Sequence, residues 1–370
     1  MPARQAAATD RLVALDALRA IAALLVVWMH VSESFYGLSP QTEASRWLYD
    51  AARLLDAGRV GVVAFFVISG FVIPFSVHPE RPRAGWDFAI RRVFRIYPAY
   101  WLSVAAGAYA CHWLWGREFT AGEFLVNLTL LQDLVGVRSA QGLYWTLGVE
   151  LAFYAVCLVL VLTGSIRNYR RIALFSATLT LVVAASLVFR AMGRPALGFD
   201  VLPWFVYLAI MSMGTLLRAW YDGELRAPAV RACLWGLLAF YLAGLPLLST
   251  LAAKLPWQLT VPYSIGVAVF VLGMTVVRIT HPVMAWLGRI SYSIYLFHAV
   301  VFYPMLWLLL RIPVEAWWRT RHLAFYLALN VILTVAVAAF VHAFVEKPGI
   351  RLGRRAAGVF ARQRTVARDA

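Results

Sequence analysis

The chain has 370 residues, of which 62% are hydrophobic and 14% charged, with 34 Lys and Arg against 18 Asp and Glu. No soluble domain keeps that much apolar side chain off its surface, so the composition excludes a soluble fold and implies an all-α, polytopic membrane protein. The formal net charge of +16 raises the question of nucleic acid, but the basic residues alternate with apolar runs instead of forming one stripe, and no nucleic-acid partner is expected.

Apolar runs of about spanning length recur near 12–36, 59–77, 94–115, 142–163, 172–191, 201–220, 230–249, 258–278, 284–310 and 323–345, which predicts about ten transmembrane helices. The first run contains Asp16, Arg19 and His30. At about 100° per residue Arg19 and His30 differ by only about 20° around the helix axis, and Asp16 lies about 60° from Arg19, so all three share a face. The rise along a helix puts His30 roughly 16 Å above Arg19, near mid-bilayer. Ionisable groups at such depth are functional candidates by default. Asp16 is expected to pair with Arg19 at i, i+3. The run should remain as the first span, because bulky Trp28, Met29 and His30 stand where a signal peptide would have small cleavage-site residues.

Further along, Arg92 and Arg95 lie just inside the third run, and Glu150 falls roughly 12 Å into the fourth. The ninth run starts at Gly288-Arg289 and brings His298 roughly 14 Å above Arg289. Ser291, Tyr295 and His298 follow i, i+4, i+7 spacing and share a helix face, with Tyr292 beside them. His30, Glu150 and His298 therefore form a mid-membrane layer that can transfer protons or an acyl unit. Arg19, Arg92, Arg95, Arg289 and Glu346 form an inner layer whose cations can bind phosphate. Each group also has a plainer reading. Arginines at this depth snorkel to the interface, tyrosines fasten membrane helices, and Glu150 can pair with a buried arginine. His342 and Glu346 at i, i+4 lack a third nearby ligand, so no metal is expected. Cys111, Cys157 and Cys233 sit in apolar runs at no metal-like spacing.

With the N-terminus inside, 22 of the 34 Lys and Arg fall on the inner side, from Arg4 and Arg11 to the tail ending near Arg368, which places both termini in the cytoplasm. No linker or repeat divides the chain, and residues 1–370 are expected to form a single membrane domain with no separate soluble domain. Its helical core spans 12–346 and a basic cytoplasmic tail spans 347–370, too short and charged to fold alone. The tail is expected to touch anionic lipid.

Six blocks in chain order carry a family resemblance. They are Leu15-Asp-Ala-Leu-Arg-Ala-Ile-Ala-Ala-Leu24 ending at His30, Gly61-Val-Val-Ala-Phe-Phe-Val-Ile-Ser-Gly-Phe71, Arg91-Arg-Val-Phe-Arg-Ile-Tyr-Pro98, Trp145-Thr-Leu-Gly-Val-Glu150, Gly288-Arg-Ile-Ser-Tyr-Ser-Ile-Tyr-Leu-Phe-His298 and Glu346-Lys-Pro348. Together they resemble the integral-membrane acyltransferase-3 family. Ala17 stands where the family often has glycine, and Thr146 and Gly148 vary the fourth block, without removing a polar group. The resemblance implies about ten spans and transfer of an acyl group, usually acetyl from acetyl-CoA, to a hydroxyl of a glycan, lipid-linked saccharide or glycosylated small molecule. It implies roles for Arg19/His30 and Arg92/Arg95, and a bacterial inner-membrane location. The resulting expectation is that His30 acts as general base, with Arg19, Glu150 and His298 in the catalytic layer. Arg92, Arg95 and Arg289 would hold the phosphates of acyl-CoA, and Asp16, Tyr292, Tyr295 and Glu346 would support the site. An acyl-histidine intermediate remains the chemical alternative, and a transporter or flippase for a lipid-linked saccharide the functional one.

Overall fold

The computed structural model describes residues 2–81 and 83–366, with side chains described from Leu12 to Gly358 apart from Pro82. The side chains of Arg4, Arg11, Arg362 and Arg364, and all of Arg368, lie outside that description.

Among the described residues every regular element is helical. In chain order they are α1 Pro2–Phe35, α2 Glu43–Leu55, α3 Ala57–Val72, α4 Ala84–Gly107, α5 Ala121–Asn127, α6 Trp145–Leu162, α7 Tyr169–Ala191 and α8 Leu202–Tyr221. There follow α9 Pro228–Ala239, α10 Leu245–Leu247, α11 Val261–Thr275, α12 Pro282–Arg289, α13 Ser291–Leu309, α14 Leu323–Val341 and α15 Lys347–Val366. Among the described residues, eight helical stretches are long and apolar enough to cross a membrane. The two expected spans outside those eight are α4, with Arg91, Arg92 and Arg95 in its first half, and the 15-residue α11. The chain is an integral membrane protein.

Two differences from the sequence expectation have local causes. The run 284–310 is broken at Ile290 (φ −97°, ψ 4°), where α12 ends and α13 begins. The basic segment after Glu346 is helical as far as Val366, because a π-turn at His342–Glu346 carries α14 directly into α15.

The chain divides into two compact units. The first comprises Met1–Ala22, Leu54–Pro79 and Val149–Gly288. Inside it, glycines set the helix spacing. A Cβ at Gly70 of α3 would overlap the Met211 carbonyl of α8, and one at Gly214 of α8 would press on the Val67 carbonyl. Thr215 Oγ1 donates to Gly70 O at 3.1 Å, and Ser176 Oγ to Ala209 O at 2.9 Å, tying α8 to α3 and α7. Lipid tails are as apolar as the helix faces, so close backbone approach and such hydrogen bonds, not burial, hold these helices together.

The second unit comprises Ala23–Arg53, Glu80–Gly148 and Arg289–Ala370. In it α13 packs on α4 and α14. The segment between α4 and α6 is held by Asn127, whose amide donates to Glu123 O and Arg138 O and accepts from Ala140 N. A capping box of Thr120 and Glu123 starts α5. The Thr120 backbone N–H, and after it Arg138, hold the partly exposed Glu123 carboxyl below the ordinary carboxylate range. Gly349 and Gly353, one turn apart on α15, lie against Phe94, Pro98 and the Arg91 backbone of α4.

Replacing Gly70 by Ala should lower stability by about 1–3 kcal/mol, the usual cost of forcing atoms into a filled contact. Thermal unfolding in detergent would measure it, with an Ala at open Gly236 as the control that should be near neutral.

Candidate active site

His30 and His298 both belong to the second unit, one on α1 and the other on α13. His298 is 1% exposed, while His30 is partly exposed. The ring centroids are 5.1 Å apart, and His30 Nδ1 is 3.3 Å from His298 Nε2.

The neighbouring carbonyls assign the hydrogens. His30 Nδ1 lies 3.0 Å from Val26 O, and His298 Nδ1 lies 2.7 Å from Tyr295 O. A carbonyl oxygen only accepts, so each Nδ1 carries a hydrogen. His298 Nε2 is then a lone-pair nitrogen that accepts from His30 Nδ1–H. His30 Nδ1–H is shared between Val26 O and His298 Nε2, which makes Nε2 the basic nitrogen of His30. The result is a directed chain from the Tyr295 carbonyl through His298 to His30.

The surrounding side chains fix the rings. Tyr295 OH donates to Leu143 O at 3.1 Å and shares a 2.7 Å hydrogen bond with Thr146 Oγ1. Phe302, one turn beyond His298, stacks on His30 with centroids 6.5 Å apart and 13° between planes. Tyr292 OH donates to Ile96 O of α4 at 2.9 Å. Glu346 is 2% exposed and accepts from Ser293 Oγ at 2.9 Å, and its other close partner is His342 Nδ1, also 2.9 Å away. Arg92 lies over the Phe88 ring at 5.3 Å. Arg92 and Arg95 are partly buried on α4, and Arg289 ends α12.

The remaining expected residues belong to the first unit. Asp16 and Arg19 form the expected ion pair, 3.2 Å apart. Glu150 accepts from Tyr154 OH at 2.5 Å, one turn along α6. Among the described residues no group of three or more His, Cys, Asp or Glu could hold a metal.

Several participants escaped the sequence reading. Phe302 stood at i+4 from His298 and was recognisable by that spacing. Thr146 lies inside the Trp145–Glu150 block, but nothing in its neighbours points to Tyr295, 149 positions away. Ser293 sat between the singled-out tyrosines, and its carboxylate partner lies 53 residues on.

Tyr292→Phe removes one tie between helices and no atom of the imidazole chain. It should cost about 1 kcal/mol of stability, read as a lower unfolding temperature, and leave the turnover of the folded protein unchanged.

Comparison with known proteins adds an independent line. The profile of a family described as an acyltransferase domain matches residues 12–341. The chain is 26% identical to nodulation protein 10 of Rhizobium leguminosarum bv. viciae, over 91% of this chain and 93% of that one. It is 29% identical to the exopolysaccharide production protein ExoZ of Rhizobium meliloti, over 65% of this chain and 75% of that one. It is 25% identical to BcsY of Komagataeibacter xylinus, provisionally named a membrane-bound transacylase, over 77% and 71% respectively. No solved structure matches.

Proposed function

The chain belongs to the integral-membrane acyltransferase-3 family and is a membrane O-acyltransferase, and from that premise we propose that it moves an acetyl group from acetyl-CoA to a glycan hydroxyl with His30 as general base. The observation that carries the reading is the hydrogen-bonded chain from Tyr295 O through His298 to His30. A relative named for exopolysaccharide production supports a glycan acceptor, and one named a membrane-bound transacylase supports acyl transfer.

In this mechanism the acceptor O–H gives its proton to His30 Nε2 while its oxygen attacks the thioester carbonyl. The C–S bond breaks as the ester forms, and the proton on Nε2 passes to the departing thiolate, so the histidine returns to its starting state. While His30 is charged, Val26 O and His298 Nε2 both face its Nδ1–H and stabilise the imidazolium. His298 touches no reacting atom in this scheme and is a positioning residue. Tyr295 and Phe302 hold the two rings in register.

The donor's phosphates rest on Arg92, Arg95 and Arg289, whose guanidinium groups suit phosphate geometry. Within the first unit Arg19 is held by Asp16 and Glu150 by Tyr154. The enzyme sits in a bacterial inner membrane with both termini in the cytoplasm, so the donor enters from the cytosol.

His30→Ala should lower kcat by about 10²–10⁴-fold, the usual contribution of a general base, measured as CoA release from acetyl-CoA with cell-envelope glycan. His298→Ala should lower kcat with little change in KM and move the pH profile of turnover. His298→Gln, which keeps an acceptor in the side chain, should recover part of the loss. Equal activity of the three proteins would refute the scheme, and a kinetically competent acetyl-His30 would replace it with a covalent route.

Arg92→Ala and Arg95→Ala should each raise the KM for acetyl-CoA roughly tenfold or more, as loss of a charge-assisted phosphate contact implies, with little effect on the KM for acceptor. An unchanged donor titration would remove both residues from the donor site.

A further inference from the structure

Residues of α6, α7 and α8 and Pro74 just beyond α3, all in the first unit, enclose a feature that the transfer reaction does not use. A cavity of about 370 Å³ lies among Pro74, Phe153, Leu160, Ile172, Phe175 and Thr215. Its walls are apolar, since the two hydroxyls on it are already committed. Thr215 Oγ1 donates to Gly70 O and Ser212 Oγ to Leu208 O. Three of the four helices around it are candidate membrane spans in their own right and α3 is most of a fourth, so the medium outside is lipid.

The border of the cavity has one stretch of opposite character. Arg171 lines the cavity itself. Beside it, Phe75 follows lining residue Pro74, and Arg167 follows lining residue Ile166. Arg167 lies 4.2 Å and Arg218 4.9 Å from the centroid of the same Phe75 ring, so two guanidinium groups meet at one ring. Arg218 is paired with Asp222, and Arg171 donates to Ser165 Oγ. Arg167 Nη1 is buried without a hydrogen-bond partner. Buried donors on a cation are costly to leave unmatched, and a phosphate oxygen would match this one.

We propose that this cavity binds one anionic phospholipid, its acyl chain between α6, α7 and α8 and its phosphate on Arg167 and Arg171. Inorganic phosphate would answer the arginines and leave the cavity empty, and a bare acyl chain would do the reverse. A long-chain acyl-CoA has both parts, but its pantetheine arm separates them, whereas the arginines border the cavity directly. In a glycerophospholipid only the glycerol stands between phosphate and chain. The assignment does not depend on the proposed transfer mechanism.

The test is native mass spectrometry of the full chain in detergent, with phosphatidylglycerol, phosphatidylcholine, palmitoyl-CoA and inorganic phosphate as separate probes. Wild type should retain phosphatidylglycerol more strongly than the other three. The Arg167→Ala, Arg171→Ala double variant should bind it roughly tenfold less tightly, and Ala155→Trp should exclude the chain while leaving the arginines in place. Ala155 of α6 lines the cavity and is exposed, so that variant should fold, which size-exclusion chromatography checks. Thermal unfolding of wild type should also rise with phosphatidylglycerol and not with inorganic phosphate. Preference for palmitoyl-CoA, equal retention by wild type and both variants, or no retention at all would overturn the proposal.

Discussion

An imidazole inside a helix bundle has one N–H that must meet an acceptor and one lone pair that is chemically useful, and the protein's backbone decides which nitrogen has which. Here the acceptors are helix carbonyls three and four residues before each histidine, Tyr295 O and Val26 O. These oxygens are already part of a helix and cannot be displaced without breaking it. The direction of the His298 to His30 chain is therefore a property of α1 and α13 as helices, not of any mobile side chain. That direction is what the catalytic proposal needs, since a reversed chain would put the hydrogen on the nitrogen meant to receive one.

A contact of 3.3 Å between two helices survives only if the helices cannot slide. In lipid the usual hydrophobic force is absent, and this chain relies on close approach and on hydroxyl contacts. Tyr292 on Ile96 O and Tyr295 on Leu143 O anchor α13 in the two turns before His298. The first unit solves the same problem differently, with Gly70 and Gly214 letting α3 and α8 meet backbone to backbone. Each unit uses both devices, since Thr215 and Ser176 add hydrogen bonds to the first and Gly349 and Gly353 bring α15 onto α4 in the second.

Much of this was readable in the residues. Eight of the ten apolar runs correspond to spanning helices, and the other two are helices whose arginines or short length weaken the signal. Asp16 with Arg19 followed from spacing on one helix. The break at Ile290 did not, because the apolar pattern continues through it and only a change of two dihedral angles marks it. The helix after Glu346 was hidden by charge. Its stability comes from Gly349 and Gly353 seated on α4, a contact that composition cannot express. His30 and His298 could be assigned to one depth, but their hydrogen bond depends on the rotation of two helices about their axes, and depth says nothing about that.

The same terminal helix ties distant parts of the second unit together. Gly349 and Gly353 of α15 rest on the stretch of α4 from Arg91 to Pro98 that carries Arg92 and Arg95. The footing of those two arginines is therefore set by residues near the other end of the chain, and a side chain added at either glycine would press on α4 while leaving the residues around the imidazoles as they are.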